Sequence, residues 1–190
     1  MSQLIDCDFQ RHGEAVRAIF NDAILNSTAL YEYEPRSLAD VEQWFTQKQQ
    51  AGFPILGVLT ETGAVTETDA VTESAELMGF ASYGLFRDKP AACQTMEHSV
   101  YIHPDHRGKG LGELLLRALV RRAEADSVHV LVGAIDADNQ ASIRLHEKLG
   151  FIHAGTLTQS AFKFDRWLDL ALYQKTLNTS PILPETPEQS

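Results

Sequence analysis

Residues 95–116 read TMEHSVYIHPDHRGKGLGELLL, and this stretch decides the fold class. Residues 95–102 are predicted to form a strand, and leucines at helical spacing predict a helix over 111–125. Between them lies a turn with glycine at positions 108, 110 and 112. A strand, a glycine-rich turn and a helix in this order present backbone N–H groups at the positive end of a helix dipole. The stretch therefore predicts an anion-binding site.

Two familiar phosphate-binding loops do not fit this turn. It lacks the Gly-Lys-Ser/Thr ending of a nucleotide P-loop, and it is not the Gly-x-Gly-x-x-Gly of a dinucleotide site with its following acidic residue. A plain flexible turn is a further alternative. Such a turn seldom needs three alternate glycines together with the cations Arg107 and Lys109.

Hydrophobic periodicity extends the pattern in both directions from the turn. Upstream it predicts helices over 13–27 and from Ser37 onward, with strands near 4–7, over 54–60 and over 77–86. Downstream it predicts strands over 128–135, 151–157 and 166–173, and a helix over 140–149. The nearly continuous apolar run at 128–135 is typical of a strand covered on both faces. Together these elements predict one α/β domain over residues 1–177.

Two segments are predicted to lie outside the packed core. Residues 61–76 belong to a near-perfect repeat of Thr-Glu-Thr-x-Ala-Val that carries five carboxylates and no basic residue, which predicts a solvated inserted loop. Residues 178–190 contain three prolines and no amphipathic period, so a disordered tail is expected there.

Composition excludes several classes of protein. The net charge of -10, from 16 basic and 26 acidic residues, argues against a nucleic-acid partner. The two cysteines have no metal-type or redox-type spacing, and neither a signal peptide nor a membrane-length apolar run is present, so a cytoplasmic protein without a membrane partner is expected. No metal site is predicted at His98, His103 and His106, because no cysteine or carboxylate set completes a coordination shell.

Two motifs resemble those of a known superfamily. The Arg-x-x-Gly-x-Gly that begins at Arg107 resembles the acetyl-CoA signature of the GNAT acetyltransferases. In that superfamily Asn-x-x-Ala-x-x-x-Tyr-x-x-x-Gly-Phe follows the next strand, and residues 139–151 match this spacing with Ser for Ala and His for Tyr. Segments such as Glu97-His98-Ser99-Val100-Tyr101-Ile102 are similar to the branch of phosphinothricin and methionine sulfoximine N-acetyltransferases and L-amino-acid N-acyltransferases. The similarity spans the domain apart from the insert and the tail.

The resemblance implies both a fold and a reaction. The fold is a mixed α/β GNAT fold, whose central sheet contains a splayed parallel strand pair and has helices on both faces. The reaction is transfer of an acetyl group from acetyl-CoA, as cosubstrate, to the amine of a small amino-acid-like substrate by direct attack. A homodimer is also implied. An acetyltransferase of protein or peptide N-termini and a non-catalytic acyl-CoA sensor remain alternatives.

The resemblance also assigns the residues that bind acetyl-CoA. The pyrophosphate is expected at the turn, and the pantetheine arm at the backbone of the preceding strand and at the start of the following helix. These residues are Arg107, Gly108, Lys109, Gly110, Leu111 and Gly112, then Val100, Tyr101 and Ile102, and then Asn139 and Ser142. Asn139 also stands where a helix N-cap is expected.

Glu97 is the predicted general base, because an amine with a pKa of about 8 or more is mostly protonated at neutral pH and must lose a proton before attack. Alternation places Glu97, Ser99 and Tyr101 on one face of the strand. His146 is the predicted acid for the departing thiolate, by resemblance to a tyrosine position. An exposed strand glutamate and a packed helix histidine are the plainer readings.

The substrate side carries less information. Arg87 and Lys89 lie where the family approaches an amino-acid carboxylate, although ordinary loop cations are equally consistent with them. Tyr31 is a candidate pocket wall together with Phe86, Phe162 and Trp167, with core packing as the default for most of these aromatic residues. Ala92 stands where the family commonly has an aromatic residue, which leaves the accepted side chain open.

Overall fold

The computed structural model describes residues 2–60 and 75–182, so the expectations for 61–74 and 183–190 lie outside the described residues. The strands are β1 (Ser2–Asp6), β2 (Ile55–Thr60), β3 (Leu77–Leu85), β4 (Thr95–Ile102), β5 (Val130–Asp136), β6 (Ile152–Lys163) and β7 (Arg166–Thr176). The helices are α1 (Phe9–Asn26), α2 (Leu38–Gln50), α3 (Leu111–Ala125) and α4 (Gln140–Lys148), with 3-10 turns at Pro90–Ala92 and Pro104–His106. The bounds predicted for β4 and α3 are confirmed, whereas β6 is longer than predicted.

The seven strands form one mixed sheet in the order β1-β2-β3-β4-β5-β7-β6. Every neighbouring pair is antiparallel except β4 and β5, which are parallel. Their pairing runs from Thr95↔Val130 to His98↔Gly133, although both strands continue beyond these residues. The two strands therefore separate after four pairs, and the predicted splayed pair is present.

Helices cover both faces of this sheet, as predicted. On one face, α1 and α2 pack Val16, Phe20 and Val41 against Phe80 and Tyr101 of the sheet. On the other face, α3 contributes a stripe of leucines that packs with the buried residues of β3 and β5, namely Leu115, Leu116 and Leu119 against Ala81 and Leu131. Burial of each such leucine stabilises the fold by about 1.5–3 kcal/mol. No helix among the described residues has the length and apolar character needed to cross a membrane.

A buried lysine ties the β6–β7 hairpin to the end of α1. Lys163 is only 4% exposed, and its amine donates hydrogen bonds to the carbonyl oxygens of Ile24 at 2.6 Å, Ser27 at 3.0 Å and Leu30 at 2.6 Å. The last carbonyls of a helix have no partner within the helix, so a cation satisfies them. Lys163 thus holds the chain between α1 and α2 against the sheet.

Hydrogen bonds also fix the two ends of the insert between β2 and β3 and the start of the C-terminal segment after β7. The amide of Thr60 donates to the carbonyl of Glu76 at 2.9 Å, which brings the two ends of the insert together. Beyond β7, the side chain of Gln94 bonds the carbonyl of Ser180 at 3.0 Å and the amide of Ile182 at 2.7 Å. These contacts fasten the described part of the C-terminal segment to the chain just before β4.

Candidate active site

The glycine turn between β4 and α3 has the backbone conformation that an anion site needs. Gly108 and Gly110 have φ of +76° and +78°, a left-handed region that residues with a Cβ rarely adopt. Gly110 is the N-cap of α3 and supplies no side-chain cap. Within the described residues, the first-turn N–H groups of α3 therefore have no side-chain acceptor and can bind an anion.

The two cations of the turn are engaged by protein groups. The guanidinium of Arg107 forms an ion pair with Asp22 of α1. The amine of Lys109 donates to the carbonyl of Asp105 at 2.9 Å and contacts Nδ1 of His106 at 3.2 Å. The structure thus uses Arg107 to tie the turn to α1, and contact of its side chain with a phosphate stays a prediction.

The end of β4 borders the opening between the parallel strands. Val100, Tyr101 and Ile102 pair with β3 on one side, and in the described part of the chain they have no strand partner on the β5 side. Backbone groups that point to the β5 side are therefore open to an extended, amide-bearing ligand. The Tyr101 side chain is 9% exposed and burial raises its pKa to about 12, so it belongs to the core.

Asn139 begins α4 on the far side of the opening. Its side-chain oxygen accepts a hydrogen bond from the amide of Ser142 at 3.1 Å, which confirms the predicted N-cap. The amide nitrogen of its side chain stays available for a ligand. Asn139 and Ser142 therefore lie next to each other at the N-terminus of this helix.

Glu97 lies on β4 beside the start of the opening, between Gly84 of β3 and Val132 of β5. Its side chain is exposed, yet surrounding protein atoms desolvate the carboxylate enough to raise its pKa, while the charge of Lys48 lowers it. A carboxylate that is accessible and has a raised pKa has the properties of a general base.

Lys48 of α2 is a neighbour of Glu97 that the sequence did not indicate. Its amine donates to the carbonyl of Tyr83 at 2.6 Å, and a Cβ on Gly84 would lie 3.1 Å from it. Burial lowers the pKa of Lys48 to about 8, and the charge of Glu97 opposes that change. Nothing in the local sequence of α2 distinguishes this lysine from a solvated one.

His146 of α4 and His98 of β4 form a buried pair on the other face of the sheet. They are 5% and 6% exposed, and their Nε2 atoms lie 3.0 Å apart. Nδ1 of His146 is 2.7 Å from the carbonyl oxygen of Ser142, and Nδ1 of His98 is 2.8 Å from that of Val132. Burial lowers the pKa of both rings, to about 3 for His98, where the charge of His146 adds to the effect.

His98 therefore has a defined environment that the sequence did not indicate. The residue is buried, and it contacts the ring that the family motif points to. The only local signal was alternation, which places His98 on the opposite face of β4 from Glu97. Because His98 and His146 are 48 positions apart in the chain, their contact is not readable from either segment alone.

The profile of the acetyltransferase (GNAT) family matches residues 20–151, which is more than half of the chain. The chain belongs to this family. The L-methionine sulfoximine/L-methionine sulfone acetyltransferase of Pseudomonas aeruginosa is 43% identical over 169 residues, which cover 89% of this chain and 91% of the relative. The L-amino acid N-acyltransferase MnaT of Escherichia coli is 39% identical, with 86% of this chain and 88% of the relative covered.

A solved structure of a GNAT phosphinothricin acetyltransferase from Sinorhizobium meliloti, in complex with acetyl-CoA, is also similar to this acetyltransferase. It is 30% identical and has a TM-score of 0.85, with 98% of this chain and 96% of that chain covered. The GNAT enzyme described here is thus an acetyltransferase that uses acetyl-CoA, and the glycine turn with its uncapped helix fits a ligand that carries phosphates.

The predicted substrate residues of this GNAT enzyme do not converge within one chain. Arg87 and Lys89 follow β3, at the end of the strands where β4 begins, and both are exposed. Burial raises the pKa of Tyr31, and the charge of Asp136 at the end of β5 adds to this. Because β4 and β5 are parallel, Arg87 and Lys89 lie at one end of these strands and Tyr31 lies at the other, about 20 Å away along the strands.

The aromatic residues named as pocket candidates are all partly exposed in this acetyltransferase. The exposed fractions are 38% for Tyr31, 37% for Phe86, 44% for Phe162 and 57% for Trp167. Core packing, the default expectation for most of them, is therefore wrong. Phe162 and Trp167 instead stack edge to face on the β6–β7 hairpin, with ring centroids 5.3 Å apart.

One carboxylate does lie beside two of the histidines at which no metal site is predicted. Glu76 lies 3.2 Å from Nε2 of His106, and ligand atoms of Glu76, His103 and His106 all lie within 4.8 Å of one another. Lys109 donates to Nδ1 of His106, which leaves the ring proton on Nε2 for the carboxylate of Glu76. A hydrogen bond therefore accounts for this contact without a metal ion.

Proposed function

We propose that this GNAT enzyme acetylates the α-amine of a free amino acid or an amino-acid analogue of the methionine sulfoximine and phosphinothricin type. The main support is the position of Glu97, an accessible carboxylate with a raised pKa where β4 and β5 begin to separate. Relatives that are 43% and 39% identical are named for methionine sulfoximine, methionine sulfone and L-amino acids. Together these observations favour a small substrate over a protein N-terminus.

In the proposed mechanism the glycine turn, from Arg107 to Gly112, binds the pyrophosphate and the free backbone edge of β4 orients the pantetheine arm. Glu97 removes a proton from the substrate ammonium group, and the neutral amine then attacks the thioester carbonyl carbon directly. The C–N bond forms as the C–S bond breaks. The nitrogen of the new amide releases its second proton to water. The thiolate that leaves gains a proton, for which His146 is the proposed source.

Arg87 and Lys89 are the proposed contacts for the carboxylate of the substrate. Neither side chain makes a hydrogen bond or ion pair with another described residue, so both are available to an anionic ligand. A guanidinium binds a carboxylate through two parallel hydrogen bonds, which suits a free amino acid better than an internal peptide position.

A homodimer in the cytoplasm is proposed for the assembled enzyme, without nucleic-acid or membrane partners. Among the described residues, β6 is the last strand of the sheet and has one unpaired edge. Apolar side chains on the β6–β7 hairpin are exposed, with Ile152 at 64%, Leu157 at 54% and Trp167 at 57%. Such edges and patches are commonly covered by association.

Light scattering tests the dimer. We expect a mass of two chains for the wild type and of one chain for Leu157→Lys, whereas Leu25→Lys, at an exposed leucine of α1, should leave the mass unchanged. A wild-type mass of one chain would contradict the dimer and leave the proposed reaction unaffected.

Release of free thiol from acetyl-CoA, measured against a panel of acceptors, tests the proposed function. The panel contains free amino acids, methionine sulfoximine, phosphinothricin, polyamines and short peptides. We expect turnover with the amino-acid-like acceptors. Turnover of peptides alone would favour an N-terminal acetyltransferase, and binding of acetyl-CoA without any turnover would favour a sensor.

A further inference from the structure

The histidine pair occupies the point at which the parallel strands separate. His98 is in the last β4–β5 pair, opposite Gly133. A Cβ on Gly133 would lie 2.9 Å from Nε2 of His146 and 3.0 Å from Cε1 of His98, so only glycine leaves room for both rings. Phe151 covers them, with ring centroids 5.2 Å and 5.1 Å away. The pair is therefore built into the fold.

The hydrogen bonds of His98 define where its proton lies. A carbonyl oxygen only accepts, so Nδ1 of His98, 2.8 Å from the carbonyl of Val132, carries a hydrogen. A neutral His98 then has a bare Nε2. The 3.0 Å contact between the two Nε2 atoms needs one hydrogen, and this hydrogen must belong to His146.

Nδ1 of His146 has a partner in either protonation state. When it carries a hydrogen, it donates to the carbonyl of Ser142 at 2.7 Å. When it is bare, it accepts from the hydroxyl of Ser142 at 3.4 Å, a longer contact that a small rotation would shorten. Burial lowers the pKa of both rings, and the charge of His146 lowers that of His98 further. The carbonyls of Val132 and Ser142 act in the opposite direction on His98 and His146. The pair therefore binds an extra proton only weakly.

We infer that His98 is a positioning residue that holds His146 in the Nε2–H form. The pair then exchanges protons only at Nδ1 of His146, beside Ser142. This inference rests on the proposed function and deepens it. The protonated pair gives the proton on this Nδ1 atom to the CoA thiolate: the S–H bond forms as the N–H bond breaks, and the pair becomes neutral. The pair takes up a proton from water before the next turnover. The hydroxyl of Ser142 then donates to the bare nitrogen.

Nitrogen NMR of histidine-labelled protein across a pH series tests the tautomers directly, because protonated and bare ring nitrogens have separate shifts. Spectra of His98→Gln and His146→Gln assign the two rings. We expect His98 to keep hydrogen on Nδ1 and a bare Nε2 at every pH, and only Nδ1 of His146 to titrate. Hydrogen on Nε2 of His98, or titration of His98 itself, would overturn the inference.

Kinetics separate positioning from simple packing. His98→Phe removes both hydrogen bonds, and we expect kcat to fall by about 10²-fold, with little change in the KM for acetyl-CoA. His98→Gln supplies an amide donor for Val132 and an oxygen acceptor for His146, so it should keep most of kcat and the wild-type pH profile. Met96→Leu, at a buried position on the same face of β4, is the packing control.

A His98→Gln enzyme that folds but is as slow as His98→Phe would contradict a positioning role. The failure of the proposed function has a different signature. If no amine supports turnover while the NMR tautomers are as described, the assignment of the pair stands and the reaction does not. If turnover is normal and His98 carries hydrogen on Nε2, only the inference about the pair fails.

Discussion

The glycine turn and the catalytic cleft are built in different ways. The turn is one contiguous segment, 107–112, whose conformation follows from its own glycines and the helix after it. The proposed catalytic groups flank the separating strands, with Glu97 of β4 near Lys48 of α2 on one face of the sheet and the pair of His98 with His146 of α4 on the other. The proposed cofactor site is thus encoded locally, whereas the proposed chemistry depends on strands and helices that meet only in the folded chain. Substitutions in the turn should therefore act on KM, and those in the cleft on kcat.

The largest effect is expected at Glu97. Glu97→Gln keeps the size of the side chain but cannot accept a proton, so kcat/KM should fall by about 10²–10⁴-fold. The measurement is thiol release with the best acceptor of the panel over a pH series. Glu42→Gln on the exposed surface of α2 should behave as wild type. Activity of Glu97→Gln within about twofold of wild type at every pH would contradict the assignment of Glu97 as the general base.

The contribution of a tertiary contact to stability is tested at Lys163, which joins the β6–β7 hairpin to the end of α1. Lys163→Met leaves three carbonyl oxygens without their donor, and we expect a loss of about 3 kcal/mol. For a chain of this size the melting temperature should fall by about 6–12 °C, measured by calorimetry. Lys175→Met removes a donor to one carbonyl, that of Leu149, and should cost clearly less. Equal losses in both variants would show that the three-carbonyl contact adds nothing.

The proposed role of the glycine turn in binding acetyl-CoA is tested at Gly108 and Gly110. Alanine at either position meets the left-handed backbone strain of about 1–2 kcal/mol, and displacement of the turn should raise the KM for acetyl-CoA by about tenfold with kcat nearly unchanged. Gly52→Ala carries similar strain at φ +70°, in the turn after α2, and should leave KM unaffected. A drop in kcat alone would contradict the division between turn and cleft.

The smallest expected effect is a shift in pH dependence at Lys48. The positive charge of Lys48 lowers the pKa of Glu97, so Lys48→Met should raise that pKa. A base with a higher pKa becomes active only at higher pH, and the acidic limb of the kcat/KM profile should move in that direction. Lys48→Arg keeps the charge and should keep the limb in place. Movement to lower pH would mean that Lys48 does not act on Glu97 through its charge.

Predictions that rest on short-range patterns agree well with the structure. The helix predicted from Ser37 onward is present, with a capping box of Ser37 and Asp40 at its start, and Asn139 caps α4 as predicted. Each cap needs only residues within one helical turn of one another, so the sequence contains the whole interaction. The bounds of β4 and α3 follow from periodicity in the same way.

Predictions that depended on distant contacts were less complete. Trp167 and Phe162 were expected in the core by default, but they lie on a hairpin at the edge of the sheet, where half of each ring's surroundings is solvent. Composition cannot distinguish an edge strand from a central one, since the order of strands is a property of the folded chain.

The sequence by itself determined the glycine-rich turn before α3, the capped helices and the alternation that places Glu97 and His98 on opposite faces of β4. These features depend on backbone angles and neighbours a few residues apart. Only the tertiary structure decided that the charge of Lys48 acts on Glu97, that Arg107 is paired with Asp22, and that His98 meets His146 beside Gly133. The reason is physical: the burial and partners that change the proton affinity of a side chain come from segments that the chain brings together only on folding.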